Sequence, residues 1–277
     1  MLMRQALAAA RDRLAVAGVD SAGAESRTLV AWAAGVEPNR LDLIDALDSS
    51  QLHTLEDALA RRVTGVPLQH LTGRAYFRTI AVQVGPGVFI PRPETEALAG
   101  WAIAQVGEWT RVVELCAGSG AISLAIAAEA HPRDQWAVER DSAAFAYLQV
   151  NLAASTVIPV LADMAEALPG LDATIDLVVA NPPYIPLSQW DNLPDDVLCD
   201  PEQALFSAAD GLADIALVAQ VARRLLKPGG VVGCEHGDNQ ADQARALFNQ
   251  AGFSSVRTGL DLSSRPRFVT ARLPDMQ

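Results

Sequence analysis

A mostly parallel α/β sheet, preceded by a small all-helical domain, is the fold this sequence predicts, and three observations predict it. Beyond Pro91, short apolar runs alternate with stretches of helical length, which is the pattern of right-handed βαβ crossovers. Residues 1–73, by contrast, contain no convincing strand and carry their apolar residues at helical spacing. Ile175–Ala180 is almost continuously apolar, as a strand buried on both faces must be.

In the helical part, Leu7, Ala10 and Leu14 share one face before Gly18. Asp20 or Ser21 is placed to cap a second helix that carries Leu29 and Trp32 and stops at Gly35. Ser50 is placed to cap a third, with Leu52, Leu55 and Leu59 on one face and Gly65 beyond its end. Arginines and acidic residues nearly balance up to position 74, so the excess negative charge lies in the rest of the chain. By its own chemistry this domain suits a partner-binding surface and a plain structural cap equally well.

Residues 74–90 turn β-like, with Gly85-Pro86-Gly87 marking a turn, and are expected to form a hairpin linking residues 1–73 to a domain of residues 91–277. Within that domain Arg111–Leu115, Gln135–Val138, Val157–Leu161, Ile175–Ala180 and Val231–Cys234 are expected strands, separated by helices such as Ala121–Ala130, Ala143–Leu152 and Ile215–Leu226. Phe253–Arg257 and Phe268–Arg272 have no helix-length segment between them, so they are expected to close one edge as an antiparallel pair.

The totals narrow the function classes. The 277 residues are 50% hydrophobic and 19% charged, enough for a large core. No apolar stretch approaches the roughly 20 residues that span a bilayer, and the start lacks the apolar core of a signal peptide, so a cytoplasmic protein is expected. The net charge is −12 and Lys227 is the sole lysine, which argues against a grip on bare nucleic acid. Cys116, Cys199 and Cys234 are odd in number and far apart, and the four histidines are scattered. Neither a disulfide framework nor a metal site is expected.

Asn181-Pro182-Pro183-Tyr184 follows the Ile175–Ala180 strand directly, at the carboxyl end where open α/β sheets bind ligands. Alone, an Asn-Pro-Pro triplet is equally compatible with a simple proline turn. Functionally, the two prolines hold a rigid extended turn with a free carbonyl, Asn181 adds a side-chain oxygen and Tyr184 a flat apolar face. Such a slot accepts both hydrogens of a planar –NH2 group.

The first strand runs through Glu114 and Leu115 into Cys116-Ala117-Gly118-Ser119-Gly120 and then a helix, a backbone that lets a ligand approach. A lone G-x-G is weak on its own. Glu139 ends the second strand some 20 residues on, where a carboxylate takes ribose hydroxyls. Asp163 follows the third strand and suits an adenine amino group, with Met164 against the ring. Singly, each carboxylate reads as a cap or a solvated loop residue. In this order they suit an adenosine without phosphates, and Glu114 would repel a pyrophosphate while attracting the ammonium of S-adenosylmethionine.

On these residues the chain resembles the HemK-type protein-(glutamine-N5) methyltransferases over nearly its whole length. The resemblance rests on Gly65-Val66-Pro67-Leu68-Gln69, Gly73 and Phe77, then on Gly87-Val88-Phe89-Ile90-Pro91-Arg92-Pro93-Glu94-Thr95-Glu96, the most distinctive block. Asp200–Leu205, Gly229-Gly230 through Glu235 and Gln240, and Asp261 through Arg265 and Arg267 add to it. It implies a Rossmann-like methyltransferase sheet with an N-terminal substrate-binding domain, and methyl transfer from S-adenosylmethionine to the Gly-Gly-Gln glutamine of class I release factors. It also implies catalysis by Asn181, Pro182, Pro183 and Tyr184, further substrate contacts from Arg92 and Glu94, and cofactor contacts from Glu114, Cys116, Ala117, Gly118, Ser119, Gly120, Glu139, Asp163, Met164 and Asn181. No metal, nucleic-acid or membrane partner is implied, and a monomer is expected.

Two departures stand out: Glu114 and Cys116 where the family usually has aspartate and glycine, so the turn must tolerate a Cβ. His70 stands where the family often has tyrosine, and reads as structural. Asn-Pro-Pro-Tyr is shared with nucleic-acid amino-methyltransferases, which leaves adenine N6 or guanine N2 as the alternative acceptor. An NAD-dependent oxidoreductase is a more distant alternative, disfavoured by Ser123 at the third glycine of G-x-G-x-x-G.

Overall fold

The computed structural model describes residues 1–194 and 196–275. The chain divides into two compact units, Met1–Arg74 with Pro194–Cys199, and Ala75–Leu193 with Asp200–Gln277.

The first unit is helical: α1 (Met3–Val16), α2 (Ala22–Ala34), α3 (Ser49–Arg62) and the short α4 (Leu68–Thr72). The apolar spacing read from the sequence becomes its core, where Leu14, Leu29, Leu41 and Leu59 are buried together, each side chain contributing about 1.5–3 kcal/mol. Leu52 is only partly buried beside them, and Trp32 lies on the outer side of α2, 38% exposed. Gly35 ends α2 in the left-handed conformation that spares a glycine any Cβ clash. The cap of α3 is Asp48, not Ser50. Asp48 accepts from the N–H of Gln51 at 2.9 Å while Gln51 Oε1 accepts from the N–H of Asp48 at 3.0 Å, a reciprocal box that outcompetes a lone serine two residues later. Inside the unit Arg62 Nε meets Glu25 at 2.6 Å, both side chains largely buried.

The second unit opens with the hairpin β1 (Arg74–Phe77) and β2 (Ile80–Gln83). The chain reverses at Arg78 and Thr79 rather than at Gly85-Pro86-Gly87, which forms a separate turn. Arg78, at φ +51, is held by Glu129 through two bonds of 2.9 and 2.7 Å. Then follow α5 (Thr95–Gln105), β3 (Arg111–Leu115), α6 (Ala121–Glu129), β4 (Asp134–Glu139), α7 (Ser142–Leu152), β5 (Ile158–Leu161) and β6 (Ile175–Ala180). The two-residue β7 (Ile185–Pro186), α8 (Glu202–Leu205), β8 (Phe206–Ser207) and α9 (Ala208–Gly211) come next, before α10 (Ala213–Leu225), β9 (Leu226–Glu235), α11 (Ala241–Gln250), β10 (Ser254–Leu260) and β11 (Pro266–Arg272).

Seven strands make one sheet in the order β10-β11-β9-β6-β3-β4-β5. β4, β5, β6 and β9 join β3 in parallel, while β10 and β11 close the edge antiparallel. The period of two along β6 sends Leu177 and Val179 into the core with α5, α6 and the hairpin, and Val178 and Ala180 into the core with α10 and α11. Both faces are therefore dry, which is why this strand reads as a continuous apolar run. The chain leaves β3 for β4 on one side and later returns to β6 on the other. That reversal opens a crevice at the carboxyl ends of β3, β4 and β6.

Candidate active site

The turn after β3 is shaped by three residues in the left-handed region: Cys116 (φ +56), Gly118 (φ +55) and Gly120 (φ +81). At Gly120 a Cβ would lie 2.6 Å from Leu148 Cδ1, so the Leu148 side chain would have to shift to admit one. Cys116 adopts a conformation that disfavours any side chain, which gives a physical reason for glycine at this place in the family. Its sulfur lies 3.8 Å from Met164 Sδ, so Cys116 and Met164 are brought together, and burial pushes its thiol pKa up. The Ala117 N–H bonds Val138 O at 2.9 Å, and Ser119 is almost fully buried. Asn151 ties the turn down by donating to Ser119 O at 2.8 Å and Gln83 O at 3.0 Å.

Three carboxylates surround this turn. Glu139 Oε2 accepts from the Gly118 N–H at 2.8 Å and Oε1 from the Asp141 N–H at 2.8 Å. Glu114 is 2% exposed, and its Oε2 accepts from the Ser123 N–H in the first turn of α6 at 2.8 Å. Burial pushes its pKa up to about 8 against that hydrogen bond, with nearby Glu139 adding to the rise. Asp163 is exposed and Oδ1 accepts from the Ala165 N–H at 2.9 Å, while Met164 is buried. The three carboxylates thus offer acceptors for hydroxyls and a cation, a set that fits S-adenosylmethionine.

Asn181 begins just past β6. Its Nδ2 donates to Thr95 Oγ1 at 3.2 Å, and among the described residues neither Asn181 Oδ1 nor the Pro182 carbonyl accepts a hydrogen bond. Pro182 and Pro183 are buried. The Tyr184 hydroxyl donates to Glu235 Oε1 at 3.1 Å, with burial pushing its own pKa up. Glu235, at the end of β9, is 1% exposed. Burial pushes its carboxyl up to about 7, against the opposing pull of Thr95, Arg267 and Tyr184. Gln240 Nε2 donates to Tyr184 O at 2.9 Å and Asp210 O at 3.2 Å, holding the end of the tetrapeptide. A concavity of about 190 Å³ lies beside it, lined by Tyr184, Gln189, Asn239 and Arg267 among others.

Arg92 and Glu94, the two further expected substrate contacts, lie just before Thr95 in the chain. Arg92 pairs with Asp200 at 2.6 Å, where the Asp200 side chain is fully buried, and stacks over Phe89 at 5.5 Å. Glu94 is exposed at the start of α5 and acts on Glu235 only through its charge. Thr95, Glu235, Gln240 and Asn151 carry much of the geometry, yet sequence reasoning gave them no role. The first three lie inside blocks that carried the family resemblance.

The fold and this site define an S-adenosylmethionine-dependent methyltransferase. A methyltransferase from Pyrococcus furiosus superposes with a TM-score of 0.53 at 16% identity, over 70% of this chain and 88% of that one. TYW2 of M. jannaschii, solved in complex with AdoMet, gives 0.50 at 15% identity over 73% and 86%. Residues 101–211 match the methyltransferase small domain and residues 5–73 the PrmC N-terminal domain. The chain is 44% identical over 277 residues to the release factor glutamine methyltransferase of Streptomyces coelicolor, covering 98% of each, and 41% identical to that of Mycolicibacterium smegmatis, covering 97% of each. It belongs to the release factor glutamine methyltransferase family. Among the described residues no helix is long and apolar enough to cross a membrane, and no group of three or more His, Cys, Asp or Glu side chains is placed to hold a metal.

Proposed function

We propose that this protein transfers a methyl group to the side-chain amide nitrogen (N5) of the glutamine in the Gly-Gly-Gln motif of class I peptide-chain release factors, acting in the cytoplasm as a monomer. One observation carries the reading. Asn181 Oδ1 and the Pro182 carbonyl stand at the carboxyl end of β6 as two acceptors without a donor among the described residues, while Thr95 occupies the amide's other end.

An amide nitrogen is a poor nucleophile because its lone pair is delocalised into the carbonyl. When bound, S-adenosylmethionine supplies an electrophilic methyl group on a positively charged sulfur. The chain's part is to aim the nitrogen, within about 3 Å of the methyl carbon. With its two hydrogens on Asn181 Oδ1 and the Pro182 carbonyl, the nitrogen is fixed in plane, and both acceptors stabilise the positive charge that grows as its bond to carbon forms. The Tyr184 ring packs on the amide plane. The methylated nitrogen is strongly acidic and releases one proton to solvent.

Glu139 would hold the ribose hydroxyls, Glu114 the ammonium, and Asp163 with Met164 the adenine. Arg92 and Glu94 would meet the substrate loop, and the helical unit would dock the body of the release factor. The test is incubation of the purified protein and labelled S-adenosylmethionine with an intact release factor, beside naked DNA and RNA. Label on the glutamine alone is expected. Label on nucleic acid alone would transfer the slot to an adenine or guanine amino group.

A further inference from the structure

We propose that Glu235 and Thr95 are positioning residues that fix the hydrogen-bond polarity of Asn181, so that the slot accepts an N–H donor and refuses an acceptor. The proposal deepens the functional reading and rests on it, since it takes the occupant of the slot to be an amide.

The two ends of an asparagine amide have nearly the same shape, one accepting and the other donating two hydrogens. Shape alone does not decide which end of Asn181 faces a substrate. Thr95 decides it. Its side chain is 3% exposed, beyond the reach of bulk water, and its oxygen is the partner of Asn181 Nδ2. A hydroxyl has a single proton. If that proton goes elsewhere, the oxygen facing Asn181 can only accept, and the NH2 end must turn inward.

Glu235 is where the proton goes. The Thr95 hydroxyl acts to lower the pKa of the Glu235 carboxylate, whose Oε1 takes the Tyr184 hydroxyl. Oε2 is buried and has no hydrogen-bond partner among the described residues, which leaves it open to the Thr95 proton. An ionised carboxylate donates nothing, so the polarity runs one way: Asn181 donates to Thr95, and Thr95 donates to Glu235. Burial disfavours ionised Glu235, and Arg267, 13% exposed and 3.5 Å from Asp261, opposes that with a nearby positive charge. The arrangement follows from the sheet. β6 and β9 are parallel neighbours with Ala180 opposite Cys234, so Asn181 and Glu235 emerge side by side, and the first residue of α5 sits between them. One buried carboxylate thereby anchors both polar side chains of Asn-Pro-Pro-Tyr.

The test uses shape-preserving changes in the full-length protein. Thr95→Val removes the hydroxyl, and Glu235→Gln replaces an acceptor-only group with one that also donates, which lets Asn181 turn its NH2 outward against the substrate NH2. Each should lower kcat on an intact release factor about 10²-fold, the size of effect seen when one oriented electrostatic contact is lost. S-adenosylmethionine affinity and melting temperature should stay near those of the parent. Thr95→Ser, which keeps the hydroxyl, should restore most of the rate. In an Asn181→Ala background, Thr95→Val and Glu235→Gln should cost little more, because their effect passes through Asn181.

Parent-like kcat in a folded Thr95→Val or Glu235→Gln protein overturns the proposal. So does a loss that multiplies fully with that of Asn181→Ala, since that is the mark of general damage. Should one variant not fold, the other decides the question alone. Failure of the unaltered protein to label a release factor would strike the functional reading instead, so the two failures are separable.

Discussion

Glu139 Oε2 accepts the backbone N–H of Gly118 at 2.8 Å, so the carboxylate that ends β4 also holds the glycine turn that follows β3. Each Glu139 oxygen takes one backbone hydrogen and keeps lone pairs for a ligand. Glu139→Ala should therefore remove ribose contacts and loosen the turn together. A loss of about 2–4 kcal/mol in S-adenosylmethionine binding is expected for two charge-assisted hydrogen bonds. Calorimetric titration checks it, and unchanged affinity would reduce Glu139 to a structural tie.

Asn181→Ala should do the opposite. On the proposed mechanism the acceptor it removes serves the reacting nitrogen, so kcat should fall about 10²–10³-fold with cofactor affinity largely retained. Single-turnover methylation of a release factor, beside a cofactor titration, separates the two effects.

Cys116→Gly addresses the strained turn. A side chain in the left-handed region costs about 1–2 kcal/mol, and the greater freedom of an unfolded glycine offsets roughly 0.5–1 kcal/mol of that. A net gain of about 0.5–1 kcal/mol should raise the melting temperature by about 1–3 °C. A clear decrease would mean that the contact with Met164 outweighs the strain.

The rate should depend on pH through Glu235. Its carboxyl is pushed up to about 7 by burial, with Thr95, Tyr184 and Arg267 lowering it and Glu94 raising it. Burial lowers the pKa of neighbouring His236. The ionised carboxylate is the form that only accepts, so kcat at saturating cofactor should fall as the pH drops through about 7 and level off above it. Glu235→Gln should lack this acidic limb, and its persistence in that variant would assign it to another group.

The helical unit should act through KM. Its exposed large apolar side chains include Trp32 and Leu43, the kind of anchor that carries interface energy. Replacing both by alanine should raise KM for an intact release factor about tenfold or more and leave a short Gly-Gly-Gln peptide unaffected, since a peptide offers no remote contacts. Equal effects on both substrates would make the unit a structural cap.

Much of this architecture was legible because the local signals agreed. Ile175–Ala180 is buried on both faces and reads as a strand without help, and the missing helix between Phe253 and Phe268 betrays the antiparallel edge. β9 was harder. It begins at Leu226, five residues before Val231, with Gly229 at φ +78 and a register shift against β6 in between. The helix Thr95–Gln105 buries Thr95, Leu98, Ala99 and Ala102, but further apolar residues such as Trp101 and Ile103 lie off that stripe and blur it in the sequence. The polar relay was invisible for another reason: Thr95 and Asn181 lie 86 residues apart, and Tyr184 and Glu235 lie 51 apart. No local pattern announces pairs that only sheet order brings together. The tetrapeptide was legible, but what orients it was not.

Lys227, the sole lysine, forms an ion pair with Asp176 near the start of β6 and is half exposed. Asn181 lies five residues further along the chain from Asp176, about 17 Å at strand rise. Apart from the amino terminus, this leaves amine-reactive chemistry one address, at the opposite end of the sheet from the methyl-transfer slot. A dye or surface tether coupled there would attach in a single orientation with the crevice facing outward. Encounters with a large partner could then be followed on the native sequence, without introducing a handle by mutation.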